Sequence, residues 1–298
     1  MNENMKPWKW VADIALMVIV FLVVQTVING VVPLVYSLSS GESVGSLVRG
    51  MALGTQGQLL ASASVMSSLV TIVLFPRLKW TVVDRTYLRS HPWGVLLWCG
   101  LLTLGTILPF EWVYEQLQIQ MSDTSKALFE SVMREPWGYV ALGILAPVAE
   151  EFVFRGGVLR ALLGLFGQPS GANSAPSSTT LEAQTSASRP WKACLAIILS
   201  ALLFGVVHMN LAQGVHGFIM GLLLGWLYYR TGSMMPGIIV HWVNNTVAYL
   251  MYVLMPGMAD GKLIDFFHGS QRSMVIGLLC SLCILLPSLF QVVVRTRK

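Results

Sequence analysis

Charge is what this sequence has least of. Asp, Glu, Lys and Arg make up 11% of its 298 residues, against about a quarter in an ordinary soluble domain. Hydrophobic residues make up 55% and the mean hydropathy is +0.67. That balance excludes an ordinary water-soluble enzyme and points to a chain that lives in a lipid bilayer. Cysteine is scarce too. All four, Cys99, Cys194, Cys280 and Cys283, fall in apolar stretches. Even the Cys280-x-x-Cys283 spacing therefore reads as small packing residues before it reads as a redox or metal motif. No internal repeat suggests an inverted-repeat transporter. The net charge of +5 suggests no nucleic-acid partner; the basic residues read instead as signals of membrane topology.

Long apolar runs, by contrast, recur along the chain. Eight are read, at about 11–36, 57–76, 92–112, 138–162, 191–209, 213–229, 236–255 and 273–294, each near the ~20 residues that cross ~30 Å of hydrocarbon. The second, sixth and eighth are short or carry Ser, Gly or Pro. The first is too long for a cleavable signal peptide, and further spans follow it. With a cytoplasmic N-terminus, thirteen of the nineteen Lys and Arg fall in inner segments and five in outer ones, with Arg155 inside a span. This bias predicts an all-α polytopic bundle of about eight transmembrane helices with both termini cytoplasmic. It forms one transmembrane domain, 1–298, in the plasma (inner) membrane, with the lipid bilayer as its surroundings. Residues 113–137 are the most acidic connection, placed outside with a short surface helix. Residues 168–190, rich in Ser, Thr, Ala, Pro and Gly, read as a flexible cytoplasmic linker.

Three polar patterns interrupt the apolar background: Glu150-Glu151-x-x-x-Arg155, Phe204-x-x-x-His208 and His241-x-x-x-Asn245. Ionisable groups inside a bilayer are costly and are functional candidates by default. Glu151 and Arg155 stand at i,i+4 with the acid first, the favoured order for a helical ion pair. Glu150 lies roughly 100° away around the helix. Glu151 is thus read as neutralised and oriented by Arg155, with Glu150 free to face a polar cavity as a general base. Pro147 removes one backbone donor near the two acids and opens or kinks the helix there. The alternative is a charge network that only fixes helix packing. Phe204 shares a helical face with His208 and walls its pocket, although a lone intramembrane histidine equally serves as an interhelical hydrogen-bond partner. His241 and Asn245 share a face and suit either a developing oxyanion or a metal ligand with its supporting group. Asn244 faces elsewhere, and Asn210, Gln213 and His216 read as loop or helix-end residues, with the lining of a cavity mouth as the alternative. Gly217, Gly221 and Gly225 recur every four positions and allow close helix approach.

Together, in this order, the three patterns resemble the CAAX-protease and bacteriocin-processing family (Abi, type II CAAX prenyl endopeptidases), which is recognised by EExxxR, FxxxH and HxxxN motifs on successive helices. The motif-bearing resemblance covers about 138–255. It implies an intramembrane endopeptidase that cuts a peptide or protein substrate near its C-terminus, at a cavity reached from the cytoplasmic leaflet. By that resemblance Glu150 and His208 activate a water, His241 and Asn245 stabilise the oxyanion, and Glu151, Arg155 and Phe204 support them. No cofactor is then needed. The competing account is a Zn²⁺ enzyme with His208, His241 and Glu150 as ligands, although no His-Glu-x-x-His pair is present. A non-catalytic bacteriocin-immunity protein of the same fold is a further alternative. A transporter would spread its polar residues over many spans, whereas here they concentrate in the fourth, fifth and seventh. One strain accompanies this reading. Straight, perpendicular helices place His208 about 25 Å and His241 only ~7 Å from the inner surface.

Overall fold

The computed structural model describes residues 6–83, 86–167, 190–255 and 262–297. Every regular element among them is helical. The expected linker at 168–190 lies, apart from Pro190, outside the described residues.

The first helix, α1 (Pro7–Ser40), begins with proline at its first turn, where the missing N–H costs nothing, and ends at Gly41 in the left-handed region (φ 76°). Four of its buried residues, Trp10, Ile14, Met17 and Phe21, fall on one stripe, and farther along Ile28, Val32 and Tyr36 pack against Leu47 and Leu59. A short α2 (Val44–Ala52) leads into α3 (Gly57–Arg77). Then α4 (Thr86–Arg89) precedes α5 (Trp93–Gln116), and α6 (Asp123–Met133) is the short surface helix expected in the acidic connection. Ser122 caps α6 by accepting from the Ser125 N–H, one of the four donors a helix start leaves open.

The expected fourth span is an unusual structure. A π-helix, π1 (Tyr139–Leu145), runs into α7 (Ala146–Glu151), then π2 (Phe152–Leu159), then α8 (Arg160–Gly167). The wider i→i+5 ladder of a π-helix is rare and collects at functional sites. Three carbonyls in this stretch accept side-chain donors from neighbouring segments: Phe152 from Thr81 Oγ1, in the connection after α3, at 2.6 Å, Phe154 from Ser200 Oγ at 3.2 Å, and Leu142 from Asn245 Nδ2 at 2.9 Å. Such satisfaction is obligatory where no water reaches. The remaining helices are α9 (Pro190–Val206), α10 (Leu211–Thr231), α11 (Met235–Leu254) and α12 (Gln271–Arg295), with a 3-10 turn at Leu263–Phe267 before the last. Six helices, α1, α3, α5, α10, α11 and α12, are each long and apolar enough to cross a membrane. The other two expected spans are the mixed π1–α8 run and the 17-residue α9.

Long helices pack by close backbone approach. A methyl on Gly221 would stand 2.9 Å from Ala201 Cβ, and one on Gly225 3.0 Å from Ile197 Cγ2, so the small residues of α10 are what let α9 lie against it. Successive long helices run antiparallel, which gives the bundle two ends. At one end Gly94 lies against Arg295, Arg160 donates to the Trp80 carbonyl at 2.7 Å, and Arg230 donates to the Val293 carbonyl at 2.7 Å. At the other end α6 packs against the start of α3, Arg134 Nε donates to the Tyr252 hydroxyl at 3.0 Å, and the Leu263 N–H donates to Glu115 at 3.4 Å.

Candidate active site

The two adjacent acids of α7 separate as their phase on a helix requires. Glu151 is fully buried (0% exposed) beside Arg155 (1%), and Arg155 Nη1 lies 2.8 Å from Glu151 Oε1. Arg155 also stacks its guanidinium 4.5 Å over the Phe204 ring and donates to the Gly221 carbonyl at 3.4 Å. Gly237 makes room for the acid, since a methyl there would stand 2.5 Å from Glu151 Oε2. Glu150 turns the other way and lines a cavity of about 560 Å³.

His241, on α11, stands between the two acids. Its Nδ1 is 3.5 Å from Glu151 Oε1 and its Nε2 is 3.6 Å from Glu150 Oε2. Both are too long for aligned hydrogen bonds. Neither oxygen of Glu151, nor Arg155 Nη1 or Nε, nor His241 Nδ1 makes an aligned bond in this buried cluster. His208 follows the end of α9. Its Nδ1 meets the Phe204 carbonyl at 2.8 Å. A carbonyl only accepts, so the proton sits on Nδ1 and a neutral His208 keeps Nε2 as a free lone pair. Both histidines pack edge-on to the Phe204 ring, His208 at 5.0 Å and His241 at 5.8 Å between centroids. The two rings thus meet across one phenylalanine, although straight perpendicular helices would keep them apart.

Asn245 has a second task that its motif does not reveal. In the i→i+5 ladder of π1 the Ala146 N–H reaches the Ala141 carbonyl. The next donor would be residue 147, reaching Leu142, but Pro147 has no N–H. Asn245 Nδ2 donates to that freed carbonyl at 2.9 Å, while its Oδ1 accepts from Asn244 Nδ2 at 3.1 Å. The amide is thereby fixed in one orientation with one N–H left for another partner.

Glu150, Phe204, His208, His241 and Asn245 all wall the same cavity; Glu151 and Arg155 lie behind it. Several residues join them that the sequence places elsewhere. Asn244 lines the cavity, its Nδ2 3.4 Å from His216 Nε2, because the space is wide enough to reach a helical face next to that of Asn245. His216 is inside α10, not at its end, and lines the cavity with Gln213; Asn210 does cap the helix start, accepting from the Gln213 N–H at 3.1 Å. Glu111 and Phe110 enter from α5, outside the fourth, fifth and seventh spans in which the polar motifs concentrate. An acid within an otherwise apolar run was the signal available for Glu111. The rest of the wall is apolar and rich in methionine (Met121, Met133, Met220, Met251), a surface that adapts to varied apolar side chains.

The cavity reaches the end of the bundle that carries α6, lined there by Tyr114, Phe129 and Met133. This is the end away from Trp10 and Arg295. The termini and the outer lining of the cavity therefore lie toward opposite ends of the bundle. The zinc reading meets its own difficulty. Among the described residues no three His, Cys, Asp or Glu side chains gather as a ligand set, so His208, His241 and Glu150 do not fit a metal as placed, and no step is derived through one.

Residues 133–247 match the family model described as Rce1-like, type II CAAX prenyl endopeptidase. The matched segment contains all three motifs and nearly all of the polar wall. No curated protein and no solved structure matches the chain. The family is one of proteases, and with the apolar helices the match supports a membrane-embedded endopeptidase.

Proposed function

We propose that this chain, Rce1-like through residues 133–247, is an intramembrane endopeptidase that hydrolyses a peptide bond near the C-terminus of its substrate with a water activated by Glu150 and His208. The observation that carries this reading is the convergence of Glu150, His208, His241 and Asn245 on one largely apolar cavity. Glu150 is the general base that takes the proton of the attacking water. His208, with Nδ1 tied to the Phe204 carbonyl, offers Nε2 as the acceptor that orients that water. His241 donates to the developing oxyanion. Glu151, paired with Arg155 at 2.8 Å, stands behind the ring, 3.5 Å from its far nitrogen. Asn245 contributes its remaining N–H to the same oxygen. Proton return from Glu150 or His208 to the leaving amine completes the cleavage.

The test compares purified wild type and Glu150→Ala in detergent against a peptide library. Wild type is expected to release short C-terminal fragments and the variant none; equal cleavage by both would remove Glu150 as the base. A chelator arm addresses the reaction's metal requirement. Activity that survives chelation agrees with a glutamate mechanism, while loss restored by zinc would replace it.

A further inference from the structure

The two ends of this bundle differ sharply in charge, and the lining of the cavity extends to only one of them. Ten cations among the described residues lie at the end that holds Arg160, Arg230 and Arg295: Lys6, Lys9, Arg77, Lys79, Arg89, Arg160, Lys192, Arg230, Arg295 and Arg297. The opposite end, built from α2, α6 and the 3-10 turn, has five: Arg49, Lys126, Arg134, Lys262 and Arg272. Lys and Arg in short connections mark the cytoplasmic face of a membrane protein.

The cavity runs from the middle of the bundle toward the sparsely basic end. Thr106 to Tyr114 of α5 and Ala212 to Leu223 of α10 line it with their α6-end portions, and α11 lines it from its middle toward that end, His241 to Met251. Phe129 and Met133 of α6 itself complete the outer wall, and no cation of the basic end lines the space. Access from the basic end is closed by packing. Trp10 sits against Gly164, Met234 and Thr81 against Gly156, and Arg230 against the end of α12.

We propose that the cavity opens on the membrane face opposite the cytoplasm, and that the peptide it receives is therefore one presented from the extracytoplasmic side, with an apolar segment to enter the methionine-lined wall. To take a cytoplasmic substrate the chain would have to insert with its ten-cation face outward, against the charge rule that orients membrane proteins. The orientation rests on charge and cavity geometry alone; the substrate class rests also on the protease reading above.

The experiment separates the two. Single cysteines replace Thr124 on α6 and Ser90 beside α4, both exposed, in a chain whose four native cysteines are alanine. Intact bacterial cells receive a membrane-impermeant maleimide, before or after permeabilisation. Labelling of Thr124→Cys in intact cells, with Ser90→Cys labelled only after permeabilisation, is the expected result. The reverse pattern, or labelling of both in intact cells, would overturn the inference. Should the cysteine-free chain fail to fold, C-terminal fusions of the otherwise unaltered chain decide the same question. A fluorescent cytoplasmic reporter and an inactive alkaline phosphatase are expected; an active phosphatase would overturn it. A second arm offers intact cells an impermeant peptide that the detergent-solubilised wild type cleaves. Cleavage outside the cell, absent with Glu150→Ala, supports the substrate class, and cleavage only in lysates contradicts it. If no peptide is cleaved in detergent the protease reading fails, while the labelling still decides the orientation.

Discussion

At the scale of single residues, the site is organised by what each polar group is denied. Pro147 denies the Leu142 carbonyl its backbone donor, and Asn245 supplies the replacement at 2.9 Å. The stability cost of Asn245→Ala is then that of a buried, unsatisfied carbonyl, about 1–3 kcal/mol. In a Pro147→Ala background a backbone N–H is again available to Leu142, so the same substitution is expected to cost less. Thermal melts of the four proteins in detergent measure the coupling, and purely additive losses would contradict the link. Arg155 and Glu151 form the other dependent pair. Removing one partner leaves a buried charge uncompensated, at about 3–5 kcal/mol, and Glu151→Gln with Arg155→Gln is expected to cost less than the sum of the singles. The pairing of Glu151 with Arg155 was legible in the i,i+4 spacing. The contact of Asn245 with Leu142 was not, because it depends on an i→i+5 ladder that no local pattern announces.

At the scale of elements, glycines set how close the helices come. Gly237 holds α11 against α7, and Gly237→Ala is expected to push the new methyl into Glu151 Oε2, 2.5 Å away. Overpacking of that kind costs about 1–3 kcal/mol. The expected outcome is a lower melting temperature together with lower kcat, since His241 is carried on the same turn; an unchanged melting temperature would contradict the close approach. By contrast, a Gly30→Ala substitution, with nothing within 4 Å of the added carbon, should leave both readouts unchanged. The helical bundle itself was plain in the apolar runs, and the long helices begin and end within a few residues of them. The mixed π and α run of the fourth span was hidden, because hydropathy reports length and apolarity but not the turn of the backbone. His216, Asn244 and Glu111 were hidden for a related reason. A cavity is walled by faces of several helices, and no one helix's phase shows which of its faces looks inward.

At the scale of the whole molecule, two motifs that straight perpendicular helices would set at different depths come together on one ring, Phe204, which receives both histidines. The charge bias legible in the sequence also takes on a meaning it lacked there. It tells the two ends of the bundle apart, and the cavity belongs to the less basic one. The account stands or falls on Glu150, the carboxylate left free at the cavity wall while its neighbour is committed to Arg155. The most direct measurement is kcat for wild type and Glu150→Gln on a cleaved peptide, with matched thermal melts to show that both are folded. Loss of a general base predicts a fall of about 10²- to 10⁴-fold in kcat with an unchanged melting temperature, whereas a kcat within about threefold of wild type, far short of a general base's contribution, would contradict it.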